Sequence, residues 1–255
     1  MSKASAEDDD GAQGILVHLI ELRERLLRAV AAWLLIAVAL IPFGNRLYST
    51  LAAPLLATQP KGVPMIAIDP VSPFFTPLKL SLFLALLLAM PYLLYQAWAF
   101  VAPGLYQREQ RLALPLLISS MVLFYLGCAF AYYLVLPTVF TFMQAVAPEG
   151  VAVMTDISHY LDFVLVLFLA FGAAFEVPVA TVILVLLGWV TVAQLKAARS
   201  YVIVACFVIA AVLTPPDVLS QLLLAIPMCL LYEIGIFAAR LVKPREEEDQ
   251  AAVSG

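Results

Sequence analysis

The chain has 255 residues, of which 64% are hydrophobic and 13% charged, and a mean hydropathy of +1.00. Soluble domains are about half apolar and about a quarter charged, so this composition excludes a soluble enzyme and indicates an integral membrane protein. The formal net charge of -4 comes mainly from two acidic runs, EDDD at 7–10 and EEED at 246–249, which are expected to be disordered and solvated in tails of residues 1–14 and 241–255 around a membrane domain at 15–240.

In chain order, ILVHLIELRERLLRAV (15–30) carries Ile15, Leu19, Leu22, Leu26 and Val30 at spacings of three or four. That spacing predicts an amphipathic extension whose polar side faces water or headgroups. It leads into a first span from about Ala29 to Tyr48. An acidic leader and an arginine-rich helix precede that span without a small-residue cleavage site, so it is expected to be retained. Residues 49–77 form a long outer loop, and its PMIAIDPVSPFFTPLK is apolar enough to fold as a packed cap.

A crossing needs about 20 apolar residues. Leu78–Ala102, Leu112–Met143 and Tyr160–Val190 supply three more, with a second outer loop at 144–159. The last apolar stretch, Ser200–Ala239, is split at Thr214-Pro215-Pro216-Asp217, because proline lacks an N–H and clashes with the preceding turn. It therefore reads as two short helices in a tight hairpin. Ser200–Leu213 would be about 21 Å long, which implies either local bilayer thinning or extension by flanking residues. Pro91, Pro115, Pro178 and Pro227 fall inside spans and predict bends. The expected fold is an all-α polytopic membrane protein, a bent bundle of six transmembrane helices with a concave face and the last two helices short.

Basic residues orient it. Lys3, Arg23, Arg25, Arg28, Arg108, Arg111, Lys196, Arg199, Arg240, Lys243 and Arg245 share the side of the N-terminus, against Arg46, Lys61 and Lys79 opposite. The positive-inside rule then puts both termini in the cytoplasm, a parity that six spans satisfy.

Few polar residues invite chemistry. Cys128, Cys206 and Cys229 lie in apolar runs as packing groups, and His18 and His159 have no neighbours at ligand spacing, so no metal or cofactor is expected. Glu176 interrupts LAFGAAFEVPVATV (169–182). An acid at that depth is disfavoured by about 2.5 to 3.5 kcal/mol on insertion scales. Gly172, Ala173 and Ala180 surround it, and Asp162 lies on nearly the same stripe, which predicts a face turned from lipid. It is either a carboxylate held protonated or paired for packing, or a polar point in a cavity that water enters from one leaflet. No relay of ionisable groups supports an ion carrier, and no matched pair of acids or Ser/His/Cys set supports a protease. Glu21 and Glu109 are acids on a side rich in bases. Spacing offers each a local partner, Arg25 for Glu21 and Arg108 or Arg111 for Glu109.

HLIELRERLL (18–27), SPFFTPLKL (72–80), YQAWAFVAPGLYQRE (95–109), FGAAFEVPVA (171–180) and LTPPDVLSQLLLAIPM (213–228) occur in this order. Together they resemble the TatC family, the multispanning core of the bacterial twin-arginine protein translocase, over about residues 15 to 240. The resemblance implies a non-enzymatic receptor in the bacterial cytoplasmic (inner) membrane for twin-arginine signal peptides of folded precursors, driven by the proton-motive force. It also implies single-span A-type and B-type partner subunits, further copies of the chain and the lipid bilayer as partners, with no nucleic acid. By similarity Glu21 and Glu109 read arginines, with Arg23 and Phe100 in the same signal-binding region; arginine's planar fork suits a carboxylate better than lysine does. Glu176 becomes an intramembrane polar site, and Pro54, Thr214, Asp217 and Gln221 fall where partner subunits dock. One departure is Gln110, which stands between Glu109 and Arg111 where the family has a basic residue directly after the acid. The other function class open to such a chain is a secondary transporter of a small solute or ion.

Overall fold

The structure is a computed structural model that describes residues 4–58, 65–101, 110–146, 154–213 and 218–241. Its helices are α1 (Ala4–Leu40), α2 (Gly44–Thr58), α3 (Ser72–Val101), α4 (Gln110–Phe130), α5 (Leu136–Val146), α6 (Ile157–Leu186), α7 (Val192–Ala197), α8 (Arg199–Leu213) and α9 (Val218–Leu241). Among the described residues five stretches are long and apolar enough to cross a membrane: Ile20–Ala53, Ser72–Phe100, Leu114–Val146, Ile157–Leu186 and Gln221–Leu241. Arg199–Leu213 is a shorter apolar sixth. The molecule is an all-α polytopic membrane protein whose central helix, α6, packs against α4 on one side and α9 on the other. The end of the bundle that holds the start of α1 is the terminal end, and the opposite one is the far end.

Several details differ from the sequence expectation. The helical assignment of α1 takes in residues 7–10, where acids are favourable because the positive end of the helix dipole lies there. The outer loop expected from residue 49 starts later, since a single 3₁₀ turn at Ile41–Phe43, containing Pro42, hands the chain on to α2. Of the two final helices expected to be short, α8 has 15 residues, whereas α9 has 24 and carries Pro227 without ending. Between α4 and α5 the chain stays helical through a π turn at Ala131–Val135. Pro137 follows it, and a residue without an N–H disturbs the ordinary helical ladder at such a point.

The extension exposes its polar side, Arg23, Glu24 and Arg28, in keeping with the expectation, and exposes its apolar stripe as well. Leu22, Leu26 and Val30 are exposed, while Glu21, Arg25, Ala29, Trp33 and Ala37 turn inward. The inward stripe lies against α3, where the Trp33 indole donates to the Leu82 carbonyl at 2.9 Å. Lipid inverts the aqueous rule: apolar side chains can remain outside while polar ones need partners inside.

Two prolines show how such partners are provided. Pro91 cannot donate to the Leu87 carbonyl one turn back, and the Tyr125 hydroxyl of α4 donates to that oxygen at 2.8 Å. Pro54 likewise releases the Thr50 carbonyl, and Tyr132 donates to it at 3.3 Å. The Tyr160 hydroxyl adds a bond to the neighbouring Leu51 carbonyl at 2.9 Å.

At the far end the described parts of the two outer segments meet in a cap held by backbone and polar groups; the prolines and aromatics expected to pack there, Pro70, Pro73, Phe74 and Phe75, are exposed instead. Ile66 and Asp156 pair as extended backbone, with Ile66 N–H donating to Thr155 O at 3.1 Å and Ile157 N–H to Ile66 O at 3.0 Å. The buried Asp156 carboxylate caps α6, accepting N–H bonds from Ser158 (2.9 Å) and His159 (3.0 Å), and reaches across to the N–H of Ile68 at 2.9 Å. Below it, Thr76 and Ser158 share a hydrogen bond of 3.0 Å, and Lys79 pairs with Asp162 at 2.6 Å. These contacts fasten α3 to α6. The α4–α6 contact depends on glycine: a Cβ on Gly127 would stand 2.5 Å from the Phe171 carbonyl oxygen, and one on Gly172 would stand 2.6 Å from the Phe124 ring.

Candidate functional site

The inward stripe of α1 meets α3 in a polar contact at the terminal end. Arg25 directs Nε and Nη2 to one oxygen of Glu21, Oε1, at 2.9 and 2.6 Å. Its remaining nitrogen, Nη1, lies 3.4 Å from Oε1 of Gln96, a buried side chain of α3. Phe100 follows Gln96 by four residues on the same face of α3 and is half-buried. Because α1 and α3 run antiparallel with Arg25 opposite Gln96, Glu21, one turn toward the N-terminus, is level with Phe100. The geometry therefore puts Glu21 and Phe100 at one level of the bundle and adds Arg25 and Gln96, neither of which the sequence motifs mark as a site residue. The signal for Gln96 is an amide inside YQAWAF. Arg23 projects elsewhere and is exposed. Glu109 lies outside the described residues.

Depth can be measured along α3 and α6. Lys79 and Asp162 form a polar layer toward the far end. Gln96 lies 17 positions after Lys79, about 26 Å at 1.5 Å per residue, close to the hydrocarbon thickness of about 30 Å. Trp98 of α3, Leu117 of α4 and Val179 of α6 share one buried cluster, so Glu176 lies within about one turn of the level of Gln96. Arg199 and Glu233 pair at 2.6 Å in the same region, next to Tyr232, which packs with Val182 of α6. Glu176 thus lies on the inner edge of the terminal-end polar layer, not at the middle of the apolar slab.

Its surroundings are mixed. Glu176 Oε1 is buried with no hydrogen-bond partner among the described residues, and the buried Ser120 of α4 lies against the carboxyl group. The small-residue strip expected to form one face turned from lipid is divided. Gly172 is buried against Phe124, whereas Asp162, Ala173 and Ala180 lie on the chain's outer surface. Helical geometry separates Gly172 from Ala173 by about 100°, enough to put one in the α4 contact and the other outside it. A buried acceptor without a donor is costly in a nonpolar environment, and the Ser120 hydroxyl is a donor within reach of the group.

The two candidate docking residues that the structure describes, Pro54 and Gln221, lie toward the far end. Pro54 lies within α2, at the turn whose freed carbonyl Tyr132 takes up. Gln221 is half-buried near the start of α9 and donates through Nε2 to the Phe207 carbonyl of α8 at 3.2 Å, so it ties the final hairpin together. Thr214 and Asp217 lie outside the described residues. Among the described residues no three His, Cys, Asp or Glu side chains gather into a group able to hold a metal ion.

Known proteins share both the sequence and this architecture. The family described as Sec-independent protein translocase protein (TatC) matches residues 17–227. The chain is similar to the Sec-independent protein translocase protein TatC of Haemophilus influenzae, with 56% identity over 239 residues, 94% of this chain and 93% of the relative. It is 51% identical to that of Escherichia coli K12 over 247 residues, 96% of this chain and 95% of the relative. A crystal structure described as the twin arginine translocase receptor TatC superposes with a TM-score of 0.79 at 41% identity, covering 88% of this chain and 98% of that one. These relatives and the apolar helices make it a multi-pass inner-membrane protein of a transport family, a component that works in a complex with other translocase subunits. A spanning architecture shared over nearly the whole length, with Glu21, Phe100 and Glu176 all inside the matched region, establishes that the chain belongs to the TatC family, the core of the Sec-independent translocase.

Proposed function

We propose that this translocase component is the receptor that reads the paired arginines of a precursor's signal peptide, through Glu21 and Glu109 on its cytoplasmic face. The observation that carries the reading is the Glu21 carboxylate already binding a guanidinium: two nitrogens of Arg25 converge on one of its oxygens, at 2.6 and 2.9 Å, in a half-buried contact between α1 and α3. An environment that holds one guanidinium can hold another, and charge-assisted bonds of this kind are the stronger ones. Phe100, level with Glu21, offers an aromatic face beside the arginine, and exposed Arg23 lies at the rim.

Both termini are cytoplasmic in this reading, in line with the distribution of basic residues. The apolar part of the signal then lies along the exposed side of α6, and Glu176, at the inner edge of the polar layer, is reached by water from the cytoplasmic leaflet. Single-span A-type and B-type subunits dock around Pro54, Thr214, Asp217 and Gln221, further copies of the chain complete the assembly, and the proton-motive force drives transport of folded cargo.

The test is crosslinking of a twin-arginine precursor to the chain in membranes. Changing both Glu21→Gln and Glu109→Gln is expected to abolish the crosslink while the protein remains inserted; an undiminished crosslink rejects the reading.

A further inference from the structure

We propose that Arg25 is an internal stand-in for the signal peptide's arginine: it occupies Glu21 until a peptide arrives, and Gln96 retains it after it is displaced. This inference rests on Glu21 being an arginine reader. Its basis is the way the three nitrogens of one side chain are divided, with Nε and Nη2 on Glu21 Oε1 and Nη1 directed at the buried Gln96.

The adjacent ion pair on the same helix provides a contrast. Arg28 meets Glu24 at the same i to i+4 spacing, but through one nitrogen at 3.3 Å, with the two side chains 60% and 61% exposed. That is an ordinary surface pair of little consequence. Arg25 and Glu21 are 22% and 36% exposed, at a helix contact, so the carboxylate there has less water to satisfy it. A charge with so little water around it is unfavourable unless compensated. The resident guanidinium supplies compensation at Oε1, and a newcomer that takes the same oxygen displaces it.

Displacement by another guanidinium exchanges like for like, because the same fork meets the same oxygen, and Arg25 swings to an acceptor already within reach at 3.4 Å. An ammonium group lacks the fork and replaces fewer bonds than it removes. The resident side chain acts as an intramolecular competitor at high effective concentration. It therefore lowers affinity for every ligand and penalises lysine more than arginine. Arg25 is a specificity-determining residue through competition, without touching the bound peptide.

The full-length protein in lipid nanodiscs would be titrated with a fluorescent peptide carrying two adjacent arginines before an apolar segment, and with the same peptide carrying two lysines. Arg25→Gln is expected to tighten binding of the arginine peptide about 2- to 5-fold and to narrow the preference for arginine over lysine. Arg25→Lys, which keeps the charge without the fork, should fall between. If Arg25 only steadies Glu21, Arg25→Gln weakens binding instead. Unchanged or weaker binding in Arg25→Gln, with Glu21→Gln impaired, overturns the stand-in. Binding by Glu21→Gln equal to that of the unaltered protein overturns the reader beneath it.

Discussion

The Tyr125 hydroxyl donates to the Leu87 carbonyl at 2.8 Å, repairing from α4 the gap that Pro91 leaves in α3. Tyr125→Phe removes the repair and is expected to destabilise the protein by about 0.6 to 1.7 kcal/mol, the range of polar contacts within membrane helices. In a Pro91→Ala background, where residue 91 supplies its own N–H, the same change should cost almost nothing. Unfolding of single and double variants in mixed micelles measures the coupling, and equal losses in both backgrounds would contradict this account.

Asp156 should make the cap sensitive to strong acid. Its carboxyl is held below the ordinary range, first by the N–H of Ile68 and then by that of His159, with Ser158 and the His159 side chain adding to the effect. A depressed folded-state value contributes stability that is fully present above the unfolded value of about 3.9 and lost as pH falls through the folded one. The cap should therefore stay closed at neutral and mildly acidic pH. Asp156→Asn, which loses the ionised acceptor, should cost about 1 kcal/mol at pH 7 and abolish the acid dependence. Hydrogen exchange at the Ile68 amide reports both effects.

The two glycines at the α4–α6 contact should differ in how well they can be replaced. Gly172→Ala meets a Phe124 ring that can turn, whereas Gly127→Ala meets the backbone of Phe171. Overpacking of this kind costs about 1 to 3 kcal/mol, with Gly127→Ala at the upper end. Phe124→Leu should restore most of what Gly172→Ala loses and none of what Gly127→Ala loses. Melting temperatures of the purified variants distinguish these outcomes.

A cysteine at position 176, in a chain lacking Cys128, Cys206 and Cys229, should react with a membrane-impermeant thiol reagent applied from the side of the termini. It should stay unreactive when the reagent is applied only from the other side. Inertness from both sides would make Glu176 a packing group.

The spans are legible in the sequence because about 20 apolar residues in succession have few alternatives in a chain of this composition. The cap is not legible in the apolar character of PMIAIDPVSPFFTPLK, because Ile68, Val71, Phe74 and Phe75 are exposed and the joint is made by backbone pairing and the Asp156 carboxylate. Relative depth and facing are hidden. Glu176 looks isolated in LAFGAAFEVPVATV, and only the register of Trp98 against Val179 shows that it lies near Gln96. The stripe of Leu22, Leu26 and Val30 marks an amphipathic helix, but periodicity reports two sides of a helix without saying which one meets lipid. Tyr125 and Tyr132 carry no sequence signal, because their roles depend on carbonyls that prolines elsewhere release. At the reader, the i to i+4 pairing of Arg25 with Glu21 is visible in the sequence, but its third contact, with Gln96, spans 71 positions.

The seam joining Ile66, Asp156, Thr76, Ser158, Lys79 and Asp162 works as a rivet near one tip of two rods. The buried cluster of Trp98, Leu117 and Val179 grips the same pair again toward the other tip. Sliding α3 past α6 must therefore undo both fastenings at once.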